Sequence, residues 1–429
     1  MKSFFLLVRE RMAVDLVRVS LLNMIAMVFR IFSGWISVKV VASITGPSGM
    51  ALIGQLTNFS ALLQSLASGG ISTGLTRYVS AHSKERDIVN QYIGTAFRIT
   101  LICSGILSLV ILTGASYFSI WLLGSTDYTI VFWVLGGTIF FFSVNMLLMA
   151  ILNGYQEYSS FVRIQTVGSI ISVLISVVLA FLFGLLGALL AVIVSQSLLL
   201  LVTIYVMHRS GWFSASPLSI SFHRKTAMDL FAYSLMAVTS AVVVPVSQML
   251  VRGMITDRFS ATDAGIWEGM NRISAMVLQV ITGSMSVYYL PRLAEAGIDA
   301  KIRVEFLQVF RFLLPLLLLM AVSLFVCRHW IIRMLFTEDF RSMATLFAGQ
   351  LAGDVLKISG WMLGYIMIAK AMVRTYVLTE ILNYALFVYL SYVLTNQYGV
   401  QGAVIAYAVG HWIYLVFMVW IFRKLLWPP

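Results

Sequence analysis

Phe183-Gly-Leu-Leu-Gly-Ala188 and Tyr398-Gly-Val-Gln-Gly-Ala403 are one turn written twice, 215 residues apart. Each joins two hydrophobic stretches, 163 to 183 with 187 to 207 and 375 to 395 with 402 to 422. Each stretch meets the roughly 20 apolar residues that a helix needs to cross a hydrocarbon core. Two further pairs fall in the same order at nearly the same offset. Ile120-Trp-Leu-Leu-Gly-Ser-Thr-Asp-Tyr128 matches Ile332-Arg-Met-Leu-Phe-Thr-Glu-Asp-Phe340, and Thr76-Arg-Tyr-Val-Ser-Ala81 matches Leu290-Pro-Arg-Leu-Ala-Glu295. The chain reads as a duplicated unit. An even number of spans per unit makes the two copies enter the membrane in the same orientation, a parallel repeat.

Further candidate spans cover 19 to 43, 50 to 76, 91 to 115, 129 to 151, 228 to 252, 265 to 290, 306 to 327 and 344 to 369. The expectation is an all-α polytopic membrane protein with about twelve transmembrane helices, in two six-helix lobes around a central cavity. The lobes are expected over 1–210 and 229–429, joined by a cytoplasmic linker over 211–228 that contains Gly211, Ser214, Ser216 and Pro217. No cleavable signal peptide is expected, because Met1 to Arg18 interleaves charges with apolar residues.

Composition agrees. Of 429 residues, 60% are hydrophobic and 11% charged, with a mean hydropathy of +0.94, more apolar surface than a soluble core absorbs. The net charge of +12 is distributed by topology and does not point to nucleic acid. With a cytoplasmic N-terminus, the inside segments hold about 20 of the 29 Lys and Arg, while Arg252, Arg258, Arg328, Arg333 and Arg341 fall in outside loops or at span ends. Both termini are therefore expected in the cytoplasm. Cys103 and Cys327 read as apolar packing residues. His82, His208, His223, His329 and His411 read as membrane-end or loop residues without metal spacing, so neither a metal nor a cofactor is expected. No Walker loop or other enzyme signature appears. Trp121, Trp133, Tyr288, Tyr289, Trp330, Trp412 and Trp427 read as interfacial anchors, and Pro245 and Pro315 as kinks within spans.

Ionisable groups inside the spans carry the functional signal, because a charge at bilayer depth costs about 3 kcal/mol on insertion scales and needs a partner or a wet cavity. Span eight places Glu268, Arg272 and Gln279 on one face, and span ten does the same for Gln350, Asp354, Lys357 and Trp361. Glu268 is in reach of Arg272, and Asp354 of Lys357, as local ion pairs. Arg30 has no acidic neighbour in its own span. Span two adds Gln55, Asn58 and Ser65. A guanidinium fork matches phosphate oxygens, so Arg30, Arg272, Asn58, Gln55 and Gln279 are the candidate substrate contacts. The two acid–base pairs read either as internal pins with no ligand or as working parts of the polar cavity, and in the second case Glu268, Asp354 and Lys357 are the candidates for gating or ion coupling. Lys39, Arg98 and Arg311 lie nearer span ends and are expected to snorkel.

Gly46-Pro-Ser-Gly-Met-Ala-Leu-Ile-Gly-Gln55 and Ser284-Met-Ser-Val-Tyr-Tyr-Leu-Pro-Arg-Leu293 resemble the polysaccharide-transport branch of the multidrug, oligosaccharidyl-lipid and polysaccharide exporter superfamily. Gly349-Gln-Leu-Ala-Gly-Asp-Val-Leu-Lys357 and Gly364-Tyr-Ile-Met-Ile-Ala-Lys370 are similar to enterobacterial-type flippases. The resemblance implies a bacterial inner-membrane flippase, not an enzyme. Its substrate is then an undecaprenyl-pyrophosphate-linked oligosaccharide for O-antigen or enterobacterial common antigen assembly, moved to the periplasmic leaflet by alternating access. It implies a cationic cavity with Arg30 and Arg272 on the pyrophosphate, and work as a monomer among membrane lipids and other glycan-assembly proteins. A cation-coupled drug exporter of the same superfamily and a membrane glycan polymerase are the two other readings.

Overall fold

The structure is a computed structural model that describes residues 2–83, 85–210, 222–296 and 298–427. Among these residues there is no strand. The helices are α1 (Lys2–Ala67), α2 (Ser72–Ala81), α3 (Arg86–Thr113), α4 (Ala115–Leu123), α5 (Thr129–Gly154), α6 (Tyr158–Ser210), α7 (Arg224–Arg258), α8 (Ala261–Ser284), α9 (Leu290–Ala296), α10 (Asp299–Val326), α11 (Arg328–Leu335), α12 (Phe347–Ala369), α13 (Val373–Tyr398), α14 (Gln401–Ile421) and α15 (Arg423–Leu426). Nine helical segments among the described residues are long and apolar enough to cross a membrane.

Two of the nine are too long for one crossing. Phe29–Ala67 has 39 residues and Tyr158–Arg209 has 52, against the ~20 that span a bilayer. Each is broken by a glycine with positive φ: Gly46 (φ 64°), followed by Pro47, and Gly184 (φ 58°). Each therefore holds two spans. Helix α8, whose polar residues Glu268, Asn271, Arg272 and Gln279 lower its hydropathy, completes the expected twelve. Helices α7 and α10 run on through Pro245 and Pro315.

The duplication is visible in the backbone. Gly184 (φ 58°, ψ −132°) and Gly399 (φ 61°, ψ −147°) make the same turn. Three residues on, a Cβ on Gly187 would stand 1.8 Å from the Leu179 carbonyl oxygen, and one on Gly402 would stand 2.2 Å from that of Leu394. No other residue type closes these hairpins. The other two sequence matches correspond to α2 with α9, and to α4 with α11. A 3₁₀ turn follows each of the latter pair, at Thr126–Tyr128 and Glu338–Thr345.

The chain divides into two compact units. The first comprises residues to Val40 with Leu63–Ser234, and the second Val41–Leu62 with Leu235–Pro429. Residues 41–62, expected in the amino-terminal lobe, are thus grouped with the second unit, where Gly54 makes room for Glu268 and Gly265 sits against the Pro47 carbonyl. The expected linker falls largely on 211–221, outside the described residues. Burial within the second unit is uneven and decides where charge can sit. In its most apolar stretch α10 is 6% buried and presents Phe312, Leu319 and Val326 outward, whereas α12 is 72% buried and carries Asp354 and Lys357. The expected belt residues Trp121, Trp133, Tyr288, Trp330, Trp412 and Trp427 are exposed. Tyr289 is not a belt residue, because it is buried and donates to the Met362 carbonyl at 3.2 Å.

Candidate functional site

Polar residues collect at three places. In the second unit, Ser260 starts α8 as an N-cap, accepting from the Asp263 N–H at 3.0 Å, and about two turns along the helix Glu268 points inward. Its two carboxylate oxygens are taken by different arginines. Arg252 of α7 donates from Nη2 to Oε2 at 2.5 Å, and Arg272 donates from Nε to Oε1 at 3.0 Å. Arg252 is fully buried, stacked 5.6 Å from the Trp267 ring, and donates from Nη1 to Gln55 Oε1 at 2.9 Å. With its amide turned so that the oxygen faces the guanidinium, the orientation that satisfies both groups, Asn58 accepts from both Nη atoms of Arg252, at 3.1 and 3.2 Å. A buried charge held by so many partners is a structural pin, since taking one partner away leaves an ion without solvation.

This arrangement corrects the expectation in two respects. Arg252, expected at the end of a span, belongs to the interior, because α7 continues to Arg258. Gln55 and Asn58 have their oxygens occupied by Arg252. Arg272 is different: its side chain is 23% exposed, and among the described residues only its Nε is engaged, leaving both Nη groups free. Two arginines and one carboxylate give the array one net positive charge, carried at its accessible end. Gln279 lies two turns beyond and is exposed.

Around α12, Asp354 and Lys357 do not form the expected salt bridge. Asp354 Oδ1 instead accepts from Ser274 Oγ at 2.6 Å and from the Tyr407 hydroxyl at 2.9 Å, and Gln350 donates to Ser274 at 3.2 Å. Oδ2 is buried without a partner among the described residues. The Lys357 ammonium is caged by rings, 4.8 Å from the centroid of Trp361, 5.3 Å from Tyr407 and 6.0 Å from Tyr384. Such a contact contributes from about 0.5 kcal/mol when exposed to about 2 kcal/mol when desolvated.

Two titratable residues beside this cage escaped the sequence reading. His411 lies in the middle of α14, not at a membrane end, and is 1% exposed. Its Nδ1 faces the Tyr407 carbonyl at 2.8 Å, so Nδ1 carries a proton and donates, leaving Nε2 bare and unpartnered among the described residues. Glu380 of α13 is buried, with Oε2 likewise unpartnered. A signal for both existed in their placement, one turn or more inside an apolar stretch.

In the first unit, Arg30 lines a cavity of about 370 Å³ with Ser33, Ser37, Gln165, Ser172 and Gln196. Among the described residues no side chain pairs with Arg30. Arg98 and Arg311 are exposed, as snorkelling requires. Among the described residues no group of His, Cys, Asp and Glu is arranged to hold a metal ion.

Residues 40–345 match the family described as polysaccharide biosynthesis protein. The chain is 30% identical over 411 residues to the proteins named Lipid III flippase of Escherichia coli (strain K12) and Shigella flexneri, covering 95% of this chain and 99% of each relative. Among solved structures, an inward-facing multidrug resistance MATE family transporter of the MOP superfamily superimposes with a TM-score of 0.80 at 14% identity, over 92% of this chain and 94% of the other. The fold is thus that of the exporter superfamily. By its family match and its full-length relatives, the chain belongs to the polysaccharide biosynthesis protein family, in the polysaccharide-transport branch that its motifs resemble.

Proposed function

We propose that the protein is a flippase that carries an undecaprenyl-pyrophosphate-linked oligosaccharide from the cytoplasmic to the periplasmic leaflet of the bacterial inner membrane, with both termini cytoplasmic, by alternating access. The observation that carries the reading is Arg272: Glu268 holds it through Nε and leaves both Nη donors free, the fork that a phosphate takes in bidentate fashion. In the first unit Arg30, a cation on a cavity wall with no described partner, is a further candidate phosphate contact. Arg252, Gln55 and Asn58 keep the Glu268 carboxylate in place beneath Arg272. Asp354, Lys357 and Glu268 serve gating or ion coupling. The kinship with proteins named Lipid III flippase supports the substrate class, and assembly of O-antigen or enterobacterial common antigen is the pathway it would serve.

The test is reconstitution in proteoliposomes loaded with an undecaprenyl-pyrophosphate-linked oligosaccharide, with leaflet exposure of the glycan read by an impermeant lectin. Protein-dependent exposure that is lost in Arg272→Ala is the expected result. Exposure no faster than in protein-free vesicles would overturn the proposal.

A further inference from the structure

The cavity of the first unit has a lining that a phosphate site does not need. Three helical faces meet there: Arg30, Ser33 and Ser37 on α1, Gln165, Ser169 and Ser172 on the first half of α6, and Ser195 with Gln196 on its second half. One cation therefore stands among seven neutral hydrogen-bonding side chains. A hydroxyl inside a helix ordinarily donates to the carbonyl four residues back, as Thr166 does to Val162 at 2.9 Å and Ser169 to Gln165 at 2.8 Å. Among the described residues Ser33, Ser37, Ser172 and Ser195 make no such bond, so their hydroxyls remain for whatever fills the cavity. Gln64 donates to the Gln196 carbonyl oxygen, which fixes that amide and leaves its own NH₂ group free to donate.

We infer that this cavity is a sugar-binding subsite, which takes an uncharged pyranose ring next to the phosphate held by Arg30. The inference rests on the flippase reading above and extends it to the glycan. Ring hydroxyls both donate and accept, and serine hydroxyls and glutamine amides are the side chains that answer both roles without charge. A doubly charged pyrophosphate alone would be served by several cations or backbone N–H groups, and here Arg30 is one cation in an otherwise neutral lining. The volume, about 370 Å³, is in the range of small-ligand sites. Gln64 is a positioning residue for Gln196.

Two measurements test the subsite with the full-length protein, wild type against the triple variant Ser33→Ala, Ser172→Ala, Gln196→Leu. The first is saturation-transfer NMR in detergent with free N-acetylglucosamine and methyl glucoside. Transfer in the wild type that disappears in the triple variant is expected, and no transfer to the wild type overturns the subsite whatever transport shows. The second compares proteoliposome transport of glycan-bearing lipid with that of bare undecaprenyl pyrophosphate. With three hydrogen bonds removed, the rate ratio of the two substrates should fall at least about ten-fold in the triple variant. In Arg30→Ala both rates should fall together. An unchanged ratio in the triple variant overturns the subsite, while a wild type that binds sugar but moves neither lipid overturns the flippase reading alone. Monodisperse elution of the triple variant guards against unfolding as the cause.

Discussion

The carboxyl carbon of Glu268 lies 2.4 Å from where a Cβ on Gly54 would stand, so span two and α8 meet at this depth only because residue 54 has no side chain. The Arg252–Glu268–Arg272 array therefore depends on a glycine that makes no polar contact itself. Gly54→Val should displace Glu268, break its bond to Arg252 and lower stability by about 1–3 kcal/mol, the cost of overpacking. Thermal unfolding of the purified protein in detergent measures it. A Gly54→Val protein as stable as the wild type would mean that α8 shifts freely.

Arg252 and Arg272 share one carboxylate and should nonetheless fail in different ways. Arg252→Ala leaves Glu268 buried without its closest partner, which costs about 3–5 kcal/mol. Arg272→Ala removes a partly exposed partner, for about 1 kcal/mol or less, but takes away the free Nη fork. The expected pattern is a poorly folded Arg252→Ala, and a well-folded Arg272→Ala that does not expose glycan. Arg272→Lys should recover only part of the activity, since the charge returns without the fork. Equal stability losses in the two alanine variants would contradict the division of roles.

What the sequence revealed and what it concealed follow from chemistry that is local or distant. The hairpin pair was legible because Gly184 and Gly399 answer a backbone requirement within their own turns. The face shared by Glu268 and Arg272 was legible because four residues bring them one above the other. Arg252 was hidden because its depth depends on how far α7 continues, and nearly two further turns of helix turn an apparent span-end residue into a core one. The Asp354–Lys357 pair looked like an ion pair by spacing alone. Only the hydroxyls of Ser274 and Tyr407 and the rings of Trp361, Tyr384 and Tyr407 show that each found other company.

The Lys and Arg bias predicts that the turn between α4 and α5 is periplasmic and that between α2 and α3 cytoplasmic. Thr126 and Glu85 are exposed in those turns and suit single-cysteine labelling, in a background where the free, exposed Cys327 has been changed to Ser. In intact cells opened only at the outer membrane, Thr126→Cys should react with an impermeant thiol reagent and Glu85→Cys should not. The reverse pattern would invert the topology and the direction of transport with it.

Asp354 offers the sharpest test of coupling, because its hydrogen bonds and its charge are separable. Both bonds to Oδ1 come from hydroxyl donors, so the amide oxygen of Asp354→Asn can accept them, and the variant should fold with little loss. Asp354→Leu strands the Ser274 and Tyr407 hydroxyls, and each stranded group costs about 1–3 kcal/mol. If the buried carboxylate only organises α8, α12 and α14, the Asn variant should transport as the wild type does. If it takes part in coupling, transport should persist at a basal rate in Asp354→Asn but lose its stimulation by an imposed ion gradient. We expect the second, since Oδ2 is buried without a hydrogen-bond partner among the described residues, where a structural pin would be satisfied. Because no salt bridge joins the pair, adding Lys357→Gln should not restore what Asp354→Asn loses, unlike the mutual rescue of a true ion pair. Gradient stimulation retained in Asp354→Asn would remove this residue from coupling and direct attention to Glu380 and the bare Nε2 of His411, two further buried titratable groups beside the cage.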